Sequence, residues 1–549
     1  MKSPRTITHP ASVTVMLILF GWILIGLVES LIIRDMIGQA HRGEHAWVWL
    51  NDQISTRMSA NPAWEDVSHV EWVARTMMSR LGLVWTGACL LGVAFLNRRT
   101  LFIRLKAFFL QPDSALNLAI LRVVTFGMIA TSTSAREEIV QHTGLPDILL
   151  HPISGLGPLL TTMLPSEPSV NYIVIAWATM SVAACFGFLT RFSTIASLLL
   201  SLYVMGIPQL YGKVNHMHHL MWFAAICASS RCGDVFSLDS LIRRRGPAPA
   251  PSPIYGLPLR FAWLLLGIVY FFPGIWKIWT GGIDWIWSDH LRNQIWHQWS
   301  TFEEWRPLID PTGWAMLPRL GGLSVIGFEL TFILMMFSSR TRMIAAFAGL
   351  AFHISNLLVL NIGFFSLMIS YIILFNWPAI LRSVGIRSIR LGIPARPEED
   401  SRPPRASLLA VAIVGTAVMI PNIHQGIIGN NYGWPFACYP KFGYPMFKPE
   451  RHVIDVELIS PDGQSRDMSF IVGEGRVRNA RWHGMTKKAL NTRDPELRIR
   501  RIEALRRMAS GDVPSGSRIR FLRSTYSTDP HDRGSPPIRQ VEIGRFMVP

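Results

Sequence analysis

The chain is 549 residues long, half of them hydrophobic and only 16% charged, with a positive mean hydropathy. Soluble domains carry roughly 25% charged residues, so a string of soluble domains is excluded. The net charge of +17, from 53 basic and 36 acidic residues, fits basic loops between membrane segments. It does not indicate nucleic acid, because no basic stretch is interleaved with stacking aromatics.

Apolar windows long enough to cross about 30 Å of hydrocarbon as helix fall near 11–33, 78–97, 115–133, 171–189, 192–210, 214–230, 258–279, 320–338, 342–360, 362–378 and 406–423. The pattern predicts an all-α polytopic transmembrane helical bundle of about eleven spans. The first window follows Lys2 and Arg5. Its long apolar stretch, with no clean small-residue cleavage site, reads as a retained span rather than a signal segment.

Every second connector is basic. Arg98, Arg99, Arg104 and Lys106 form one, Arg231 and Arg243–Arg245 another, Arg340 and Arg342 a third, and Arg382, Arg387, Arg390 and Arg396 the last. Intervening loops are acidic or neutral. Positive-inside topology then puts the N-terminus in the cytoplasm and the C-terminal region outside. The sixth window and the tight turn at Asn361 matter most, since an error at either reverses all that follows.

Three regions follow. Residues 1–110 hold two spans and an extracytoplasmic loop, and residues 111–423 the main transmembrane domain. Residues 424–549 read as a small extracytoplasmic α+β domain. In it, His452–Ser460 alternates and is β-branched, Pro461-Asp462-Gly463 is a turn, and Asp467–Val472 is a return strand. Pro495–Ala509 is helical, and Ser517–Thr525 and Arg539–Val548 are further strands. The five cysteines contain no C-x-x-C pair, so neither a disulfide framework nor dithiol chemistry is expected.

Ionisable residues inside spans are candidate functional residues. Asn215 and His216 open the sixth window, with His219 on the same helix face. Three His in this region and His353 are too few for a multi-histidine metal centre, so no metal is expected. Tyr270 precedes Pro273-Gly274, and Lys277 follows this helix-weakening pair. Holding a lysine neutral at pH 7 costs roughly 4–5 kcal/mol; burying its charge at mid-bilayer costs about 2.5–3.5 kcal/mol or more. The two are similar, so Lys277 is either a snorkelling cation or a neutral amine able to act as a base. His353 and Asn356 share the ninth window. Glu329 falls near mid-membrane and requires a buried donor; Arg122 is the expected partner of a structural ion pair.

The ordered set of motifs resembles the vitamin K-dependent γ-glutamyl carboxylase family and its bacterial relatives, which share the HTTM (horizontally transferred transmembrane) domain. The residues are Leu121-Arg122, Asn215-His216 followed by Phe236-Ser237-Leu238-Asp239, Tyr270-Phe271 with Gly274 and Lys277, and Glu329 ahead of Arg340. Phe352-His353, Asn356, Ile362-Gly363 and Asn431-Tyr432-Gly433 complete it. The resemblance spans about residues 113–475. It implies Lys277 as the base that deprotonates a vitamin K-type hydroquinone, His216 near the reacting groups, and Tyr432 in an exoplasmic segment. Tyr270, Asn215, His353 and Asn356 are then candidates for binding substrate or cofactor. Oxygen and carbon dioxide are the implied co-substrates, and an exported protein or peptide the substrate, at a bacterial cytoplasmic membrane. Trp276 stands where the animal enzyme has a second lysine, and the C-terminal region is shorter. A non-catalytic maturation or export factor, and a lipid-binding or transport protein reusing the fold, remain alternatives.

Overall fold

The computed structural model describes residues 10–547 apart from 213–216, 244–248, 303–304, 387–404, 440–441, 468–478 and 510–513. Asn215 and His216 therefore lie outside the described residues.

Helix α1 (Pro10–Val28) runs on through a short π-turn and packs against α2 (Val67–Leu96). The two helices exchange tryptophans over glycines, with Trp85 over Gly21 and Trp22 over Gly82. The indoles also bond across, Trp22 Nε1 to Thr86 Oγ1 at 3.0 Å and Trp85 Nε1 to the Leu17 carbonyl at 2.9 Å. A basic helix α3 (Arg98–Leu110) leads into α4 (Ala115–Ala130), capped by Ser114 and bent by 42° into Thr133–His142.

Next come α5 (Glu167–Phe186) and α6 (Thr190–Val204), joined at Gly187 with φ +66°. Small polar residues line their seam, where Trp177 Nε1 donates to Ser201 Oγ and Ser181 meets Ser197, both at 2.8 Å. Small side chains let two helix backbones approach closely where lipid supplies no hydrophobic drive. Helix α7 (His218–Ser229) is short and almost wholly buried. The core helix α8 (Pro253–Gly281) precedes α9 (His290–Trp299), α10 (Met316–Met335) and α11 (Ser339–Leu360). A bent pair, α12 (Phe365–Ser370) with Tyr371–Leu374 and then Trp377–Ser383, turns by 74°. Helix α13 (Arg405–Ile428) lies against α8.

Among the described residues, eight helices are long and apolar enough to cross a membrane, or up to ten if each bent pair is one span. The sixth expected span is not among them, and the third and tenth fall on the two bent pairs. Among the described residues of 214–230, the helix is the 12 residues of α7, about 18 Å of rise against the ~30 Å needed. The window is apolar because α7 is surrounded by protein, not lipid. The chain still returns to the end it left. The Leu189 and Thr190 amides at the start of α6 both bond Asp239, and Arg191 Nη1 reaches the Ser230 carbonyl just after α7.

Beyond α13 the chain leaves the bundle as a strap. A two-residue parallel pairing of β1 (Ser154–Gly155) with β2 (Gly433–Trp434) ties it down. The four-stranded antiparallel sheet has the order β4-β3-β5-β6, from β3 (Glu450–Ile459), β4 (Ser465–Asp467), β5 (Arg518–Ser527) and β6 (Arg539–Met547). Helices α14 (Asn479–Leu490) and α15 (Pro495–Ala509) pack on each other beside it. The other three expected strands and the 495–509 helix are present; of the expected return strand Asp467–Val472 only Asp467 lies within the described residues, and α14 was not anticipated.

Helices α8 and α10 touch through Gly267 and Gly274, one heptad apart. A Cβ on Gly267 would lie 2.7 Å from Ile333 Cγ1 and 3.0 Å from its Cα, so backbones must part. We predict that Gly267→Ala lowers stability by about 1–3 kcal/mol in thermal or denaturant melts of the purified protein. Gly327→Ala, which meets nothing within 4 Å, serves as the control with little change.

Candidate functional site

Tyr270, Pro273 and Lys277 recur at i, i+3 and i+7, so they share one face of α8 and span about 10.5 Å along its axis. Pro273 cannot donate to the carbonyl of Val269 one turn earlier. Val269, Tyr270, Pro273 and Lys277 line one wall of an intramembrane cavity of about 100 Å³. Val325 and Glu329 of α10 form the second wall, and Phe352, His353, Asn356 and Leu360 of α11 the third. Asn361 ends α11 with φ +53° and brings Phe364 and Leu367 round the far side.

Lys277 and Glu329 are 4% and 6% exposed. Nζ donates to both carboxylate oxygens at 2.7 Å, and lies 5.5 Å from the centre of the Trp285 ring. Gly274 makes this possible, since any Cβ there would lie 3.0 Å from Glu329 Cβ. The expected Arg122–Glu329 pair is therefore corrected. Arg122, fully buried, donates instead to the carbonyls of Cys232 (2.7 Å) and Phe236. It pins the loop after α7, and Gly187 leaves room for its guanidinium. The partner of Glu329 is the cation one helix away, on the face that α8 presents to α10.

The opposite pole of the cavity is neutral. Tyr270 Oη bonds His353 Nε2 at 2.8 Å and Tyr371 Oη at 2.5 Å. Gly349, one turn before His353, admits the Tyr371 ring, which a Cβ would meet at 2.4 Å. His353 Nδ1 is buried with no protein partner among the described residues. Leaving a buried polar atom unpaired costs about 1–3 kcal/mol, so this nitrogen is available to a ligand.

The strap after α13 forms the roof. Tyr439 and Phe442 line the cavity, and Tyr439 Oη accepts the His218 amide at the start of α7 at 3.2 Å. Burial pushes the Tyr439 phenol well above its ordinary range, so it stays protonated. Trp285 Nε1 donates to the Phe442 carbonyl at 2.8 Å, Asn293 to the Met446 carbonyl at 2.9 Å, and the Met446 amide to His290 Nδ1 at 2.8 Å. Thr280 bonds the Gly443 carbonyl. None of these roof residues had been singled out; their only local signal is the aromatic-rich run from Trp434 to Phe447. Tyr432 is not part of the cavity lining. It is 55% exposed, with Lys488 Nζ 5.6 Å from its ring centre. Among the described residues no three His, Cys, Asp or Glu side chains are grouped to hold a metal ion.

A buried ion pair and a tyrosine–histidine pair facing one apolar cavity, within apolar helices of spanning length, define an integral membrane protein with an intramembrane site. Residues 110–379, a little under half of the chain, match the family model of the HTTM domain. That segment carries Lys277, Glu329, Tyr270 and His353, and ends before the strap. No curated protein and no solved structure matches the chain.

Two predictions follow from this geometry. Removing one partner of a buried pair strands a charge at about 3–5 kcal/mol, whereas replacing both with apolar groups is near neutral or stabilising. Lys277→Met and Glu329→Leu should each lower the melting temperature, and the double variant should recover most of the loss. Additive losses would mean that the two side chains do not act as a pair. The second concerns His290, held down at about 3 by burial and by the charge of Lys277. It is neutral when folded and titrates near 6.5 when unfolded. Its contribution is intact above about pH 6.5 and is lost as pH falls from there toward 3, by up to about 1.4 kcal/mol per unit. His290→Gln should flatten that part of the stability–pH curve.

Proposed function

We propose that this chain is a carboxylase-like enzyme of the bacterial cytoplasmic membrane, acting on an exported protein, with its N-terminus cytoplasmic and its C-terminal unit extracytoplasmic. The observation that carries this reading is the placement of Lys277. The residue that matches the family's base is buried in an apolar cavity, against a carboxylate and across from an unsatisfied imidazole nitrogen.

The donor set suits a reduced quinone. Apolar walls would take its ring, and the Lys277–Glu329 and Tyr270–His353 poles its two oxygens. The cavity holds the volume of roughly three waters, below the 300–1,000 Å³ of ordinary ligand clefts. Wall side chains must therefore move outward to admit a bicyclic ring. A bound quinol would supply, on its oxidation by oxygen, the strong base and the driving force for proton removal from a glutamate and capture of carbon dioxide. The chain's own part is proton handling and exclusion of water. Lys277 and Glu329 share a proton across 2.7 Å; as ammonium and carboxylate the pair is net neutral and can accept one more at Glu329. With the proton on the carboxyl, Lys277 presents a free amine. His353, fixed by Tyr270, orients the second pole, and Tyr439 and Phe442 close the site to water. His216 and Asn215 lie outside the described residues, and their part in this reading rests on the family resemblance alone.

A second reading, a non-catalytic membrane factor for maturation or export of a secreted peptide, is favoured by the closed bidentate geometry of the pair, which ties Nζ to Glu329 rather than to the cavity. Incubating the purified protein with reduced quinone, oxygen and labelled bicarbonate separates the two. We expect quinone epoxide and fixed label from the wild type, reduced about 10²–10⁴-fold in Lys277→Ala. Absence of both products in the wild type overturns the enzyme reading. A secretion defect in Lys277→Ala without quinone turnover establishes the second.

A further inference from the structure

A separate cluster lies where the C-terminal unit meets the bundle. Arg501 of α15 crosses the seam, donating through Nε to the Ile148 carbonyl at 3.0 Å and through Nη2 to the Leu150 carbonyl at 3.4 Å, while Nη1 bonds Thr492 at 3.0 Å. These bonds fix the guanidinium and leave two of its five N–H groups unused. Lys488 of α14 faces the same place, half-buried, with its ammonium over Tyr432. His151 completes the group. Its amide is held by the Leu210 carbonyl at 2.8 Å, and its Nε2 is buried without a partner among the described residues.

The three are close enough to perturb one another. Burial, then the charges of Lys488 and Arg501, hold His151 down at about 4, and burial with Arg501 lowers Lys488. Among the described residues neither Lys488 nor Arg501 forms a salt bridge with a carboxylate. Like charges gathered without a counter-ion cost free energy unless an anion joins them. The free donors, an ammonium, a guanidinium edge and an imidazole, suit a phosphate.

Position selects the source of that phosphate. Helix α5, one of the helices long and apolar enough to cross a membrane, begins at Glu167, a short way along the chain from His151. Between them Leu159 and Met163 are exposed, and Met163 is held by Tyr203 at the end of α6. Tyr432, also exposed, adds an aromatic ring beside the cations. Aromatic, apolar and basic side chains together are the signature of the headgroup layer.

We infer that His151, Lys488 and Arg501 form a binding site for the phosphate of an anionic phospholipid headgroup, docking the C-terminal unit to the membrane surface. The site does not depend on the carboxylase-like reading. The test uses the full chain, delipidated and returned to phosphatidylcholine nanodiscs with a minor fraction of phosphatidylglycerol, and counts retained lipids by native mass spectrometry. We expect phosphatidylglycerol to be enriched over phosphatidylcholine, and the enrichment to fall about fivefold in Lys488→Gln. Lys487→Gln, an exposed neighbour, should leave it unchanged. Equal retention of the two lipids, or enrichment that survives Lys488→Gln, overturns the site. Displacement of the lipid by millimolar inorganic phosphate, or by an acidic peptide, overturns the lipid assignment in favour of a soluble anion. Because Arg501 also anchors the seam, Arg501→Lys is the second variant. A drop in enrichment with an unchanged melting temperature supports the site, and unchanged enrichment counts against it.

Discussion

A charge in hydrocarbon must find its opposite within the protein, and the Lys277–Glu329 pair is where this chain meets that demand. Neither group is tolerable alone at that depth. The pair fixes the distance between α8 and α10, which explains why glycines occur where these helices touch. It also fixes the rotation of α8, and so turns Tyr270 toward His353 and Phe272 toward Gly426 of α13. The cavity is the space left between helices held by one ion pair on one side and one tyrosine–histidine bond on the other.

The remaining architecture serves to keep that space dry. Two elements not made of spanning helix do most of this. The short helix α7 fills the middle of the bundle, and the strap between α13 and the sheet lies over the open end. The strap is fastened at its carbonyls by indole, hydroxyl and amide donors of α7, α8, α9 and the turn between the last two, among them Trp222 to Pro435 at 2.9 Å. Backbone outside regular structure is stable at this depth only when protein satisfies its polar groups, and here side chains of the bundle do so.

Much of the bundle was legible because the bilayer imposes a simple rule on composition. Windows such as 320–338 and 342–360 are apolar in the way lipid requires, and they fall on α10 and α11. The rule fails at 214–230, since an apolar segment packed in protein has the same composition as one packed in lipid. Lys277, Glu329, Tyr270 and His353 stood out singly, as polar residues in apolar helices. Their pairing did not, because it depends on which faces of α8, α10 and α11 meet, a long-range property absent from any window. Arg122 and Glu329 were matched by charge alone, and the structure gives each a different partner. The roof residues Tyr439, Phe442 and His290 lie in segments with no periodic pattern, so their role emerges only from the fold. In the sheet, polar surroundings restored the alternation that marks a strand, and β3 and β5 could be read directly.

The length of α7 carries one more consequence. At 12 residues it covers about 18 Å of a slab some 30 Å thick. Its first amide is met by Tyr439 of the strap, so a segment outside the spanning helices caps it. At this point the cavity that holds Lys277 is covered by Tyr439 and Phe442 of the strap rather than by a spanning helix. A group entering from that end would displace strap side chains, whereas one entering between α8 and α10 would have to part helices that Gly267 and Gly274 hold close.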